Sequence, residues 1–286
     1  MKTEAVIFSK NRTLQLKSLL LSLREFSDLP EEMINIIYVE SGGISYEVLK
    51  KEFRCRFIKQ SAFLGDVKNI VADSKAEYIL FMVDDLIFRE KFSIEREERI
   101  LDGDKGLDSF SHRLGKNIQV GRTPSFRRLE DDVIEWETSG GLGKHWNYFW
   151  EVSSSTYRKK LVLEYLSKCR PDRESFPNPF EFHYYSCMPS TRASGLIRLI
   201  NSLRYPFRRK SSRIACYLKS RCFTQGVNLV AAINDKRDEV FDILTLHKKM
   251  EEGYIVDYHV LKDAEIKAPN AGPEYFRLVK QSEKGR

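Results

Sequence analysis

The stretch from Glu77 to Phe88 reads EYILFMVDDLIF, an apolar run interrupted by two adjacent carboxylates, Asp84 and Asp85. Five consecutive apolar residues, Ile79 to Val83, are typical of a strand buried on both faces, as in a parallel sheet covered by helices. Ligands of open α/β sheets bind just beyond the carboxyl ends of the strands. Two carboxylates at that point could hold a divalent cation, which usually also binds phosphate oxygens. Because Asp is also common in turns after strands, residue type alone leaves both interpretations open.

The segments around this stretch predict alternating strands and helices. Residues Ala5 to Phe8 have a buried-strand pattern, and the helix that follows carries leucines at 16, 19, 20 and 23, which form one apolar stripe. A second strand is predicted from Ile34 to Val39, and Phe63 to Ala76 forms a helical or loop connection into the carboxylate-bearing strand. This alternation predicts βαβ units and a mainly parallel sheet.

Two common phosphate-binding motifs are missing from the sequence. No GxGxxG follows the first strand, so the fingerprint of dinucleotide-binding proteins is absent. No GxxxxGK(S/T) occurs either, which excludes a P-loop.

Taken in order, several short segments resemble glycosyltransferases of the GT-A fold, close to the broad family-2 type. The first strand ends in Ser9-Lys10-Asn11-Arg12, similar to the Thr/Ser-x-Asn-Arg segment of that family, and the acidic Glu40 follows the second strand. The segment Gly65 to Asn69, with Lys68 before its Asn, is similar to the next family motif. Val83-Asp84-Asp85 stands where those enzymes have their DxD-type metal site.

This resemblance implies a fold, an activity and a set of site residues. The fold is α/β, a GT-A (Rossmann-like) domain whose mainly parallel central sheet is flanked by helices, with a helical C-terminal excursion. Asp85 matches the metal-binding acid and Asp84 the acid near the ribose and phosphates, so Mn²⁺ or Mg²⁺ would bind at this pair. The implied nucleotide-binding residues are Ser9, Asn11, Arg12, Glu40, Lys68 and Asp84.

A transfer that inverts the sugar configuration also needs a carboxylate to take the proton from the acceptor hydroxyl. Glu181 is the first candidate, because its Pro-Asn-Pro-Phe-Glu context resembles a later acidic motif of the family. Glu151 is the second candidate. The alternative for Glu181 is a structural one, since Glu is favoured near a helix N-terminus that begins after Pro.

The sequence also departs from the family pattern. A strict Asp-x-Asp is not present, because Val83 occupies the first position. Many relatives have a late His that completes the metal site, whereas the segment Ala268 to Glu274 contains none. His247 or His259 could substitute, although a lone His is more often structural.

The resemblance divides the chain into two halves of one GT-A domain. Residues 1–120 form the nucleotide-sugar-binding half, and residues 121–286 form the acceptor-binding half with a basic amphipathic segment at 192–221 and a C-terminal extension. This extension is predicted to contain a helix from Val240 to Glu252 and an extended segment from Ile255 to Leu261. The aromatic-rich stretch from Gly140 to Tyr157 is either an acceptor lid or part of the core.

The net charge of +7 is concentrated in one part of the chain. No acidic residue occurs between Phe182 and Asn234, where nine basic residues lie, including Arg208, Arg209 and Lys210. An apolar helical stripe from Leu196 to Leu203 beside these charges is typical of a helix on an anionic membrane surface. A solvated or phosphate-binding surface is the main alternative, and nucleic acid is a weaker one.

Global properties indicate a cytoplasmic enzyme, peripheral at most to the inner face of the membrane. No apolar run approaches the roughly 20 residues that span a bilayer, and the five cysteines form no CxxC motif. The predicted function is metal-dependent transfer of a sugar from a nucleotide-sugar donor to a glycan or lipid-linked acceptor in polysaccharide or glycolipid biosynthesis. One alternative is a non-catalytic protein that binds membranes or polyanions on a degenerate GT-A fold. A nucleotidyltransferase is the other alternative, but the GxGTRxxPxxK opening of that class is missing.

Overall fold

A computed structural model of the chain describes residues 1–138, 142–143, 145–169, 177–186, 212–227 and 241–281. Residues 192–211 of the predicted basic segment therefore lie outside the described residues.

The described residues form strands, α-helices and short 3-10 turns. The strands are β1 (Thr3–Lys10), β2 (Ile34–Val39), β3 (Arg56–Lys59), β4 (Tyr78–Val83), β5 (Leu86–Phe88), β6 (Leu107–Ser111), β7 (Arg127–Glu130), β8 (Val133–Glu137), β9 (Ser155–Arg158), β10 (Arg213–Tyr217), β11 (Cys222–Gln225), β12 (Tyr254–Val256), β13 (Asn270–Ala271) and β14 (Leu278–Lys280). The α-helices are α1 (Thr13–Phe26), α2 (Glu47–Glu52), α3 (Phe63–Asp73), α4 (Ile94–Gly103), α5 (Lys159–Leu166), α6 (Pro177–Ser186) and α7 (Ile243–Glu251).

The central sheet has nine strands in the order β3-β2-β1-β4-β9-β6-β10-β8-β7. Strands β3, β2, β1 and β4 are parallel, whereas β9 is antiparallel to both of its neighbours, β4 and β6. Strand β8 is likewise antiparallel to β10 and β7, so the other seven strands of the sheet run in one direction. The predicted α/β fold with a mainly parallel central sheet flanked by helices is confirmed. Both predicted halves of the chain contribute strands to this one sheet.

The strand at the centre of the opening stretch, β4, is buried on both faces as predicted. Leu80 and Met82 belong to one hydrophobic core, and Ile79 and Phe81 belong to the other. Successive side chains of a strand point to opposite faces, so an unbroken apolar run is what a two-sided core requires. The sheet therefore separates two cores, and its edge at the carboxyl ends of the strands is where polar side chains can gather.

The C-terminal region packs back on the first helix. The four stripe leucines of α1 are buried, and Ser18 Oγ accepts a hydrogen bond from the Val256 amide at 2.9 Å. The predicted C-terminal helix is observed as α7. The predicted extended segment from Ile255 to Leu261 is wrong beyond Val256, because a 3-10 turn occupies His259–Leu261 and a hydrogen bond joins the amide of Leu261 to the carbonyl of Tyr258.

Three of the nine basic residues between Phe182 and Asn234 are described, and all three are neutralised by acids distant in sequence. Arg213 forms an ion pair with Asp104 at 2.7 Å. Arg221 pairs with Glu90 at 2.6 Å, and Lys219 pairs with the same carboxylate. The charges of these three residues are therefore compensated in the folded chain, because folding brings carboxylates from earlier elements beside them. The sequence between Phe182 and Asn234, which has no acidic residue, does not reveal this.

Among the described helices, none has the length and apolar composition that crossing a membrane would need.

Candidate active site

A cavity of about 590 Å³ lies at the carboxyl ends of β1, β2 and β4. Ser9 and Lys10 of β1, Val39 of β2, and Asp84 and Asp85 after β4 line it. Further lining residues come from later parts of the chain and are Arg113, Ser153, Pro177, Asn178, Pro179, Phe182, Thr224 and Asn270. The cavity thus has the position at which open α/β sheets bind ligands.

Arg12 links the two carboxylates that follow β4. Its Nη2 lies 2.6 Å from Asp84 Oδ1, and its Nη1 lies 2.8 Å from Asp85 Oδ2. Asp84 is fully buried and also accepts a hydrogen bond from the Lys10 amide at 3.1 Å. Burial raises the pKa of Asp84 above its ordinary range, an effect that Arg12 partly offsets and Asp85 increases. The structure therefore brings Arg12, Asp84 and Asp85 together, as the sequence predicts.

The carboxylate pair fits a hard cation only in part. Asp85 Oδ1 is buried and has no hydrogen-bond partner in the described part of the chain, so one ligand oxygen is available. The described residues contain no group of three or more His, Cys, Asp or Glu side chains placed to hold a metal. A Mn²⁺ or Mg²⁺ ion here would take its remaining ligands from phosphate oxygens and water, as Mg²⁺ commonly does.

Ser9 and Asn11 hold the loop after β1 in place. Ser9 Oγ lies 2.7 Å from the hydroxyl of Tyr46. Asn11 has a positive φ of 58°, which Asn tolerates better than most residues. Its side chain donates to Ser41 Oγ at 2.8 Å and accepts from the Ser41 amide at 2.9 Å. Ser9 lines the cavity, whereas Asn11 ties the loop after β1 to the loop after β2 and so fixes the backbone beside Arg12.

Besides Asn11, two more predicted nucleotide-binding residues, Glu40 and Lys68, are not among the described residues that line this cavity. Glu40 forms an ion pair with Lys59 at 2.9 Å, and a hydrogen bond from Lys59 is the main cause that lowers the pKa of Glu40. Lys68 lies on α3, where the neighbouring Asp66 accepts hydrogen bonds from the amides of Ser61 and Ala62 that precede the helix. Contact of either residue with a nucleotide stays a prediction.

The two histidines considered as substitute metal ligands, His247 and His259, do not lie at the carboxylate pair. His247 Nδ1 is 2.8 Å from Thr13 Oγ1, so His247 holds α7 against the start of α1. His259 is exposed, and its Nδ1 is 3.6 Å from a Glu25 oxygen. Neither His is among the described residues that line the cavity.

Glu151, the second candidate base, is fixed by several hydrogen-bond donors. Arg113 Nη2 donates to Glu151 Oε2 at 2.5 Å, and Ser155 Oγ donates to Glu151 Oε1 at 2.6 Å. Glu151 is 3% exposed. Because both of its oxygens already accept hydrogen bonds from protein side chains, Glu151 is held in place as the partner of Arg113.

Glu181, the first candidate base, lies beside this pair on α6. Its Oε2 accepts a hydrogen bond from the Val152 amide at 2.8 Å, and Tyr148 also donates to it. Burial raises the pKa of Glu181 to about 7, although these two hydrogen bonds lower it. The charge of Glu151 raises the pKa further and that of Arg113 lowers it. A carboxylate with a pKa near neutrality is suited to general-base catalysis.

Aromatic packing positions α6. Phe180 and Tyr184, four residues apart on one helix face, are buried, and the ring of Tyr184 stacks on that of Trp150 at 5.4 Å. The Tyr165 hydroxyl donates to the Phe180 carbonyl at 2.6 Å. Trp146 and Trp150 are also fully buried. Of the two alternatives for the aromatic stretch, an acceptor lid or part of the core, these two residues therefore belong to the core.

The sequence analysis assigns no role to Arg113 and includes Tyr148 only as part of the aromatic stretch from Gly140 to Tyr157. Arg113 lines the cavity soon after the carboxyl end of β6, which runs parallel to β4 through the intervening β9. The strand-end rule that points to Asp84 would also have found Arg113. However, β6 reads LDSFS, and this polar sequence does not predict a buried strand.

Comparison with known proteins shows a similarity in sequence to a glycosyltransferase. No family model matches the chain. The chain is 26% identical over 209 residues to the bifunctional glycosyltransferase pgtA of Dictyostelium discoideum. The match covers 62% of this chain and only 27% of that protein.

Several solved structures are weakly similar to the fold of this chain. S. aureus TarS matches 78% of this chain and 36% of its own, with 14% identity and a TM-score of 0.43. TarS in complex with UDP-GlcNAc matches 78% of this chain and 58% of its own, with 14% identity and a TM-score of 0.41. The 4-diphosphocytidyl-2C-methyl-D-erythritol synthase of Anaerococcus prevotii matches 87% of this chain and 97% of its own, with 10% identity and a TM-score of 0.37. These scores are too low to carry an argument about the reaction. The sequence match to pgtA is what confirms the resemblance to a glycosyltransferase that the motifs predict.

Proposed function

We propose that this chain is a glycosyltransferase that moves a sugar from a nucleotide-sugar donor to a hydroxyl group of a glycan or lipid-linked acceptor. The similarity to pgtA supports the reaction class. The observation that carries the proposal is one cavity, at the carboxyl edge of a mainly parallel sheet, lined both by Asp84 and Asp85 and by Arg113. The role would be in polysaccharide or glycolipid biosynthesis.

The carboxylate pair is the donor end of the proposed site. Asp85 and Asp84 would hold Mn²⁺ or Mg²⁺, which as a Lewis acid would neutralise the charge that builds on the departing diphosphate. Ser9 and Arg12 line the same end of the cavity and would position the phosphate and ribose groups. Asn11 would act indirectly, because its side chain is used to fix the loop.

Glu181 is the proposed general base; it is not among the described residues that line the cavity, whereas its neighbours Pro179 and Phe182 on α6 are. It would take the proton of the acceptor hydroxyl while the hydroxyl oxygen bonds to the anomeric carbon of the sugar. The bond from that carbon to the diphosphate oxygen breaks in the same step, and the diphosphate leaves with the electron pair. Glu151 and Arg113 would keep a fixed ion pair beside Glu181, since Glu151 already accepts hydrogen bonds from Arg113 and Ser155.

Thermal unfolding with nucleoside diphosphates, with and without Mn²⁺, tests the donor end of the proposal. A ligand that binds only the native state at a hundredfold excess over its Kd stabilises that state by about 2.7 kcal/mol. We expect at least one of UDP, GDP, CDP, ADP and dTDP to raise the Tm in the presence of Mn²⁺.

Asp85→Ala should abolish this Mn²⁺-dependent shift and leave the fold intact. Asp263→Ala, which changes an exposed aspartate outside the cavity lining, is the matched control and should behave as wild type. An unchanged shift in Asp85→Ala would show that the metal assignment is wrong. No shift with any nucleotide in the wild type would contradict the proposed function.

A further inference from the structure

Arg12 is a cation built into the carboxylate pair. Its guanidinium contacts Asp84 and Asp85 through two different nitrogens, at 2.6 and 2.8 Å. The three side chains are 10%, 0% and 6% exposed, so water screens these charges weakly. One guanidinium facing two carboxylates leaves this group of three side chains with a single net negative charge.

Three buried atoms of this group have no hydrogen-bond partner among the described residues, and one of them, Asp84 Oδ1, is in contact with Arg12 through the ion pair. Arg12 Nε and Asp85 Oδ1 have no hydrogen-bond partner in the part of the chain that the structure describes. One is a donor and the other an acceptor, and both belong to residues that line the cavity. A buried polar atom without a partner is costly and calls for an explanation, such as an ion or ligand that completes it. An anionic oxygen would satisfy the donor, and a cation would satisfy the acceptor.

The Arg12 guanidinium interacts in opposite ways with the two ligands, a divalent cation and a diphosphate. A divalent cation approaching Asp84 and Asp85 is repelled by the guanidinium, which already neutralises part of their charge. A diphosphate is attracted to Arg12, because the planar guanidinium matches phosphate oxygens with paired hydrogen bonds. If the guanidinium turns toward a diphosphate, the carboxylates become available to the cation.

The backbone around Arg12 would not need to move. Asn11 is fixed by its hydrogen bonds to Ser41, and the Asn11 amide donates to the Val39 carbonyl at 3.0 Å. Arg12 itself immediately precedes α1, whose leucine stripe is buried in the core. Only the Arg12 side chain is therefore free to change partners.

We propose that Arg12 is an internal counter-cation of the Asp84–Asp85 pair, which a divalent cation displaces efficiently only when a nucleoside diphosphate receives the guanidinium. This inference rests on the proposed function and adds that metal and donor bind with positive coupling. Such coupling is reciprocal, since each ligand must increase the affinity for the other by the same factor.

Calorimetry of Mn²⁺ binding to the full chain, with and without UDP, tests this inference. GDP, CDP, ADP or dTDP replaces UDP if thermal unfolding selects it. In the wild type, we expect the nucleotide to raise the Mn²⁺ affinity by roughly 5- to 150-fold, the usual range of coupling between two sites. In Arg12→Gln, the Mn²⁺ affinity without nucleotide should increase about tenfold, and the coupling should shrink because the competing charge is gone.

The controls separate this inference from the proposed function. Arg54→Gln removes an exposed guanidinium that pairs with Glu32 and should behave as wild type. Arg12→Lys keeps the charge but cannot bridge two carboxylates with one planar group, so its Mn²⁺ affinity without nucleotide should be intermediate. This variant decides the matter if Arg12→Gln does not fold.

Wild-type coupling together with an unchanged or lower Mn²⁺ affinity in the Arg12 variants would overturn the counter-cation inference alone. Absence of any Mn²⁺-dependent nucleotide binding in the wild type would overturn the proposed function and this inference with it.

Discussion

At the scale of single residues, two neighbouring carboxylates differ in their surroundings. Glu151 accepts hydrogen bonds from the Arg113 guanidinium and from Ser155. Glu181 accepts one from the Val152 amide and one from Tyr148, and burial is the main cause that raises its pKa. Two acids with different hydrogen-bond partners often have different roles in an active site. Glu181 suits a base, and Glu151 suits a fixed charge.

Isosteric substitutions should separate these roles. Glu181→Gln should lower turnover by roughly 10² or more with donor binding retained, because the shape persists and the basicity is lost. Glu151→Gln should instead lower stability, by about 3–5 kcal/mol at most, because it removes one charge of a buried ion pair. Donor turnover and urea unfolding of both variants measure the two effects. Near-normal turnover in Glu181→Gln would move the base role to Glu151 or indicate a mechanism that needs no such base.

Glu181 should also make stability depend on pH. Its pKa is about 7 in the folded chain, against an ordinary value of 4.5. Between these values the folded state keeps a proton that the unfolded state has lost, so stability falls as the pH rises through this window. In Glu181→Gln this group no longer titrates, so the free energy of unfolding does not fall for this reason. Relative to wild type, the variant's free energy of unfolding should therefore increase by on the order of 1–3 kcal/mol between pH 4.5 and pH 8.

Urea unfolding of wild type and Glu181→Gln at the two ends of this range measures the difference. A constant stability difference between the two proteins would mean that folding does not raise the pKa of Glu181. Turnover of the wild type should fall as the pH drops below about 7, because the base must be deprotonated to act.

At the scale of elements, the C-terminal segment completes the cavity wall. Strand β13 pairs with β11 through Asn270 and Thr224, and both of these residues line the cavity. Arg89, which is fully buried after β5, holds the approach to β13. It donates to the Ala264 carbonyl at 2.8 Å and to the Ser220 hydroxyl at 3.2 Å. A buried arginine satisfied by carbonyl and hydroxyl oxygens thus fixes a distant segment to the sheet.

Arg89→Met should loosen this wall. It keeps much of the apolar stem and removes the donors, so the Ser220 carbonyl loses its partner and the Ala264 carbonyl keeps only the Ile266 amide. The expected cost is about 1–3 kcal/mol for each buried group left unsatisfied. Amide hydrogen exchange should increase at residues 264–271, and nucleotide affinity should fall. Arg99→Met, at an exposed position, is the matched control, and equal exchange in the two variants would contradict this role of Arg89.

At the scale of the whole molecule, three basic residues that cluster in the sequence without acidic neighbours are paired with acids in the folded chain. Arg213, Lys219 and Arg221 are paired with carboxylates on other elements. The other six basic residues between Phe182 and Asn234, from Arg192 to Lys210, lie outside the described residues. Membrane docking by the segment 192–221 therefore stays a prediction that rests on these six positions.

Sedimentation with liposomes tests the docking prediction. Binding should require anionic lipid and weaken with salt, since exposed charges are screened within about 8–10 Å at 0.1–0.15 M ionic strength. Replacing Arg208, Arg209 and Lys210 by Ser should reduce binding. A triple change of the exposed Lys51, Lys75 and Lys262 to Ser removes the same charge elsewhere and should have little effect. No sedimentation with anionic liposomes would rule out docking, and a preference for oligonucleotides would point to nucleic acid.

The sequence by itself determined the elements whose signal is local. An apolar run with no polar alternation fixed β4 as a strand buried on both faces, and the leucine stripe fixed α1. The rule that ligands bind at strand ends then placed Asp84 and Asp85 at the site. Only the tertiary structure decided which charges face one another. Neither the Arg12 bridge, nor the Arg113–Glu151 pair, nor the partners of Arg213 follow from spacing, because each joins residues that are 38 or more positions apart. Periodicity reports what one element buries, whereas the pKa of a buried group depends on which other elements pack against it.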